Sequence, residues 1–198
     1  MKNKKKPKTI LCFEGEWRYN SQPRENRFDL NSEPMLRMLM EYHKCNVVYR
    51  HILKKEDLQY FFDFFNKNKS ERSKFGIIYF ACHGSTHALS LEGVDGNIDL
   101  KTLAEMAGDF FQDKIVHFSS CKTMANRSAV ENFKNETGAT LVCGYKVSVD
   151  AIESIIADTA LLNELMKLKN AGSIKNETSS KFRKKYKSLL ENLQFDAV

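Results

Sequence analysis

The sequence predicts a doubly wound α/β fold, in which helices cover both faces of a mostly parallel sheet. Five short runs are almost continuously apolar, as strands are when a parallel sheet buries both of their faces. Segments with the apolar spacing of helices separate these runs, and this alternation is typical of the fold class. The predicted strands are residues 9–13 (TILCF), 46–49 (NVVY), 75–82 (FGIIYFAC), 115–119 (IVHFS) and 139–143 (ATLVC).

Six helices are predicted between and after these strands. The first begins at Ser32, a residue that favours the N-cap, and has Pro34 in its first turn. A capping-box spacing from Ser128 to Glu131 opens the fourth helix. The remaining helices are expected at about residues 55–67, 100–111, 151–168 and 181–193.

One segment after the third strand interrupts the alternation. Residues 86–93 and 97–100 have strand character, and Val94, Asp95 and Gly96 lie between them. Because an Asp-Gly pair favours a tight turn, this segment predicts a small antiparallel hairpin.

Length and composition indicate one domain. A chain of 198 residues, 42% hydrophobic and 28% charged, fits a single globular domain over residues 9–198, preceded by a basic tail over residues 1–8. No apolar run is long enough for a membrane helix, and the tail lacks the features of a signal peptide. The cysteine count is odd, with five spread along the chain, which favours a reducing compartment, so we expect a cytoplasmic protein.

Charge and motifs argue against several classes of ligand. The net charge of +6 is concentrated near the two termini, without a recognisable nucleic-acid-binding module. No Cys/His cluster indicates a metal, and the segment after the first strand carries Glu14 and Glu16 where a phosphate loop would be glycine-rich. We therefore expect no cofactor, no membrane association and no nucleic-acid partner.

The candidate active site lies where the third and fourth strands end. In an open α/β sheet, ligands bind beyond the carboxyl ends of the strands. His83 and Gly84 follow the third strand, and Cys121 follows the fourth. An imidazole beside a thiol is the arrangement that nucleophilic cysteine catalysis needs. The N–H groups of Gly84 and Cys121 are the candidate oxyanion donors.

The motifs YFACHG (residues 79–84) and IVHFSSC (residues 115–121) resemble those of caspase-like cysteine peptidases, with greatest similarity to the bacterial CHAT branch, which is related to separase. In that clan one strand ends in His-Gly and the next ends in Cys. The resemblance covers the chain from the first strand to about Leu168. It implies the strand order 2-1-3-4-5, a His83–Cys121 dyad, a protein or peptide substrate, and a regulatory protein partner such as those of bacterial defence systems.

Four residues are candidates for substrate binding. The resemblance implies that an acidic residue after the fifth strand, Asp150, helps to form the pocket for the P1 side chain, and Glu14, Ser119 and Glu153 lie near the same expected rim. Carboxylates in this pocket would favour Arg or Lys at P1 over Asp. Asp150 also stands where a helix N-cap is expected, and Glu14, Glu16 and Trp17 fit surface turns equally well.

Other functions remain open at this level. His83 fits an ordinary histidine at a strand end, and Cys121 fits one more buried thiol. The main alternative is therefore a catalytically silent caspase-like interaction module, which would have no reactive thiol. A nucleotide-binding or nucleic-acid-binding protein on a generic α/β sheet is the third hypothesis.

Overall fold

A computed structural model of the chain describes residues 9–15, 32–92 and 96–198. The basic tail, Glu16, Trp17 and the first two residues of the predicted Val94–Gly96 turn lie outside these ranges. The strands are β1 (Thr9–Glu14), β2 (Val47–His51), β3 (Phe75–Ala81), β4 (His83–Ser85), β5 (Ala88–Ser90), β6 (Asn97–Asp99), β7 (Ile115–Ser119), β8 (Leu141–Tyr145) and β9 (Phe195–Ala197). The helices are α1 (Glu33–His43), α2 (Lys55–Lys67), α3 (Lys69–Arg72), α4 (Leu100–Ala107), α5 (Arg127–Thr137), α6 (Ala151–Lys167), α7 (Lys181–Lys185) and α8 (Lys187–Asn192).

The main sheet is mostly parallel, as predicted, and its order differs from the prediction by a sixth strand at one edge. It has six strands in the order β2-β1-β3-β7-β8-β9, and β9 pairs antiparallel with β8. The five predicted strands correspond to β2, β1, β3, β7 and β8, which are parallel to one another. The sequence analysis missed β9 because a three-residue strand at the end of the chain has too few residues to show an alternating pattern.

The predicted hairpin is part of a small sheet of three strands. β4, β5 and β6 are antiparallel, and β5 pairs with both of its neighbours. The first of these strands, His83–Ser85, begins two residues after β3 ends. The segment that carries His83 is therefore held in a second sheet and is not a free loop.

The helices cover both faces of the main sheet. On one face, which we call the apolar face, α2, α4 and α5 pack on alternate residues of β1, β3, β7 and β8. On the other face, which we call the polar face, α1, α6, α7 and α8 pack on the intervening residues. Each helix of the described part of the chain is too short or too polar to cross a membrane.

The C-terminal basic segment is part of the fold. The predicted sixth helix is broken at Tyr186 into α7 and α8, and Phe182 and Leu190 are buried on the polar face. The fourth predicted helix, α5, is capped by Asn126, whose side chain accepts the N–H of Ala129, so the expected cap at Ser128 is wrong.

Candidate active site

His83 and Cys121 follow neighbouring parallel strands at the same edge of the sheet. The last paired residues of β3 and β7 are Ala81 and Ser119. His83 and Cys121 each lie two residues beyond that pair. Both residues line one cavity of about 270 Å³. The structure therefore brings together the two residues predicted as the dyad.

Cys121 is the most accessible cysteine of the chain. All five cysteines are free thiols, and four are buried whereas Cys121 is half-buried. The N–H of Val149 donates to its sulfur at 3.4 Å. This hydrogen bond links the sulfur to the segment between β8 and α6.

The turn after Cys121 is held by the segment that follows β8. Lys122 has a φ of 58°, in the left-handed region, which costs a non-glycine residue about 1–3 kcal/mol. Its N–H donates to the carbonyl of Val147 at 3.0 Å, and the N–H of Met124 donates to the carbonyl of Tyr145 at 3.1 Å. These bonds maintain the conformation in which Cys121 faces the cavity.

Gly84 lies against this turn. A Cβ atom at Gly84 would approach the carbonyl oxygen of Cys121 to 2.6 Å and Oγ1 of Thr123 to 2.7 Å. Only glycine therefore allows β4 to pass this close to Cys121. This approach places Gly84 beside Cys121, and the role of the two N–H groups as oxyanion donors stays a prediction.

The cavity lies on the polar face, between the carboxyl ends of the strands and α6. Its walls combine apolar groups with hydroxyl groups and one carboxylate. Besides the dyad it is lined by Glu14, Ser32, Tyr79, Ala81, Ser119, Ser120, Val149, Ala151, Ser154 and Ile155. Two of the four predicted substrate-binding residues, Glu14 and Ser119, are thus at the cavity.

Glu14 is buried in the cavity wall at the end of β1, with 1% of its surface exposed. Its carboxylate accepts the N–H of Ser32 at 2.9 and 3.0 Å and the hydroxyl of Ser32 at 2.7 Å. Ser32 immediately precedes α1, so the carboxylate lies at the positive end of that helix. These contacts compensate the cost of burying the charge and fix the orientation of Glu14.

A second carboxylate, Asp158 of α6, lies fully buried behind the cavity. Nε2 of His117 donates to it at 2.5 Å, the Tyr145 hydroxyl at 2.6 Å and the Tyr79 hydroxyl at 2.8 Å. The hydroxyl of Ser119 also donates to it. Asp158 thus connects α6 to three neighbouring strands, β3, β7 and β8, through four hydrogen bonds.

The contacts of His117 and Asp158 favour the ionised form of the pair. Nδ1 of His117 lies 3.2 Å from the carbonyl oxygen of Cys143, which can only accept, and 3.5 Å from the Cys143 sulfur, and the shorter carbonyl contact favours a proton on Nδ1 as well as on Nε2. Burial alone lowers the pKa of His117, but the nearby Asp158 carboxylate outweighs it and raises that pKa above the usual range. Burial raises the pKa of Asp158, but His117 and the hydroxyl groups outweigh it and hold that pKa below the usual range.

Neither Asp158 nor His117 was predicted as a functional residue, because one lies inside a helix and the other inside a strand. One signal was present: Asp158 stands among buried apolar positions of α6, such as Ala157, Leu161 and Leu162. A carboxylate on such a face is almost always paired, so the pattern predicts a buried partner.

Asp150 and Glu153, the other two predicted substrate-binding residues, are not among the residues that line the cavity. Asp150 is exposed and caps α6, accepting the N–H groups of Ile152 at 2.9 Å and Glu153 at 3.0 Å. Glu153 is exposed in the first turn of that helix. The stabilisation of unpaired N–H groups at a helix start explains an aspartate at this position.

Comparison with curated proteins found no match. A family profile, that of DUF6642, matches residues 7–197. Since this match covers nearly the whole chain, including His83 and Cys121, the chain belongs to DUF6642, a family of unknown function.

Proposed function

We propose that this protein is a caspase-like cysteine endopeptidase, with Cys121 as the nucleophile and His83 as the proton carrier. One observation carries the proposal: the two residues stand equally far beyond the last pair of two neighbouring parallel strands and line the same cavity. The partial exposure of Cys121, in contrast to the four buried cysteines, adds support. The resemblance of the motifs around both residues is independent of this geometry.

In the proposed reaction the Cys121 thiol gives its proton to His83, and the resulting thiolate attacks the carbonyl carbon of the scissile peptide bond. A C–S bond forms, and the carbonyl oxygen takes up the electron pair near the N–H groups of Gly84 and Cys121. The C–N bond then breaks as His83 donates a proton to the leaving amine. A water molecule, deprotonated by His83, hydrolyses the thioester and releases the new carboxyl terminus. An oxyanion donor of this kind contributes about 10²–10³-fold to the rate.

The resemblance extends the proposal to the setting of the reaction. A peptidase of the CHAT type would act on a protein substrate in the cytoplasm under the control of a regulatory protein, as an effector of a bacterial defence system. The alternative, a silent interaction module, shares the fold but requires neither a reactive Cys121 nor His83.

The proposal is tested by labelling the purified chain with peptidyl acyloxymethyl ketones and locating the adduct by mass spectrometry. We expect modification at Cys121 and none in Cys121→Ala. His83→Ala should slow labelling by at least about 10²-fold, the lower end of the contribution of general acid–base catalysis. A short fluorogenic peptide that wild type cleaves should not be cleaved by either variant.

Two matched variants serve as controls. Cys45 is a buried thiol near the end of α1, and His43 is bonded to Asn163 of α6. Neither lines the cavity. Cys45→Ala and His43→Gln should therefore label like wild type. Adducts spread over several cysteines, or labelling of Cys121 at the same rate without His83, would favour the silent module.

A further inference from the structure

The hydroxyl groups that line the cavity all donate their protons to the protein itself. Ser32 donates to Glu14, Ser154 donates to the carbonyl of Ala151 at 3.0 Å, and Tyr79 and Ser119 donate to Asp158. The fifth hydroxyl, that of Ser120, lies 2.6 Å from that of Thr123, which in turn donates to the carbonyl of Ala88. A bound side chain thus meets hydroxyl oxygens as acceptors.

The charge on Asp158 determines the direction of two of these bonds. An ionised carboxylate has no proton and can only accept, so Tyr79 and Ser119 must donate to it. The imidazolium of His117, 2.5 Å away, keeps this carboxylate ionised in a fully buried site. Each of these hydroxyl oxygens keeps lone pairs that can accept a hydrogen bond, and both residues line the cavity.

The charge of the cavity wall also favours a side chain that donates hydrogen bonds. The carboxylate of Glu14 lies in its wall, and the lining residues in the described ranges include no lysine or arginine. A cationic side chain would form charge-assisted hydrogen bonds with these acceptors, whereas a carboxylate would meet like charge and no donor hydroxyl. An amide side chain would satisfy its N–H groups but leave its carbonyl without a partner, which costs binding energy in a buried site.

From these contacts we infer that Asp158 is a positioning residue that determines specificity: by orienting the Tyr79 and Ser119 hydroxyls from behind, it makes the cavity select P1 side chains that donate hydrogen bonds and accept none. The substrate class is thus a peptide with Arg or Lys at P1. This inference rests on the proposed peptidase activity and assigns its specificity to Asp158 and Glu14 in place of the exposed Asp150.

The test compares labelling rates of Cys121 and kcat/KM values across substrates that vary only at P1 (Arg, Lys, Gln, Leu and Asp). Wild type should prefer Arg and Lys over Gln by about 10- to 100-fold, the value of one hydrogen bond to a charged group. Asp158→Asn introduces an amide donor, which allows one hydroxyl to turn its proton towards the cavity. The Arg-to-Gln ratio should then fall about 10-fold or more.

Further variants keep the test valid if Asp158→Asn does not fold. Ser119→Ala and Tyr79→Phe each remove one acceptor and leave the carboxylate in place, so each should lower the Arg-to-Gln ratio while the rate with Leu changes less. Asp63→Asn is the matched control, because Asp63 is an exposed carboxylate on α2 that accepts from Gln59. A merely structural role of Asp158 would lower all rates in parallel and leave the ratio unchanged.

Failure of this inference is distinct from failure of the proposed function. Labelling of Cys121 with equal or better rates for Leu or Asp at P1 would overturn the inference and leave the peptidase proposal intact. An unchanged Arg-to-Gln ratio in folded Asp158→Asn, Ser119→Ala and Tyr79→Phe would also overturn it. If no electrophile of the series labels Cys121, the proposed function itself fails.

Discussion

The two faces of the main sheet differ in chemistry although the same strands build both. On the apolar face, Phe13, Phe80 and Phe118 stack across β1, β3 and β7 with ring centroids 5.4 and 5.3 Å apart. On the polar face the neighbouring residues include His117 and Tyr79, which meet Asp158. Both faces therefore contribute an apolar core, but the first is dominated by aromatic packing, whereas the second also holds the polar groups that border the cavity.

The largest effect on stability is expected from the apolar face. Phe118→Ala removes a fully buried ring between Phe80 and Phe133 and should lower the free energy of unfolding by about 3–5 kcal/mol. Denaturant unfolding measures this change, and kcat/KM per folded molecule should stay near that of wild type. A selective loss of P1 preference in this variant would show that the two faces are not separate.

The ion pair on the polar face makes stability depend on pH in a defined direction. The pKa of His117 is raised in the folded protein, so its contribution is complete below the unfolded value of about 6.5 and declines as pH rises towards the raised pKa. The difference in unfolding free energy between wild type and His117→Asn should therefore be constant from about pH 5 to 6.5 and shrink above it.

Denaturant titrations at several pH values measure this difference between wild type and His117→Asn. The lowered pKa of Asp158 acts in the opposite direction. The contribution of Asp158 to the free energy of unfolding is complete above the unfolded pKa of about 3.9 and is lost as pH falls further. A difference that grows as pH rises would mean that His117 is neutral in the folded protein. The ionised state of Asp158 would then no longer explain why Tyr79 and Ser119 donate their hydrogen bonds to it.

The smallest effect is expected at the start of α6. Asp150→Ala removes the cap of α6 and should cost about 1 kcal/mol of stability, without a change in the order of preferred P1 residues. Thermal unfolding and the P1 panel test the two parts. A change of the preferred P1 residue from Arg to Leu in this variant would show that Asp150 takes part in P1 recognition.

Prediction from sequence succeeded where a local pattern was sufficient. The helix expected at residues 55–67 is α2, with the same bounds, because Leu58, Phe62 and Phe65 mark one apolar face. The strand expected at residues 139–143 begins two residues later, as Leu141–Tyr145, because apolar character alone does not mark where pairing begins. His83 and Cys121 were identified because each lies just beyond an apolar run, His83 one residue and Cys121 two residues after its end.

The sequence by itself determined the alternation of strands and helices, the parallel sheet, and the edge at which His83 and Cys121 lie. These features depend on the spacing of apolar residues in strands and helices, which repeats within a few residues. The tertiary structure decided what each buried carboxylate contacts. Asp158 reaches Tyr79 across 79 positions of sequence, and Glu14 reaches Ser32 across 18. Such contacts depend on how α1 and α6 pack on the sheet, and no local pattern contains that information. Asp150, which the sequence marks as a candidate because it follows the fifth predicted strand, caps the N-terminus of α6.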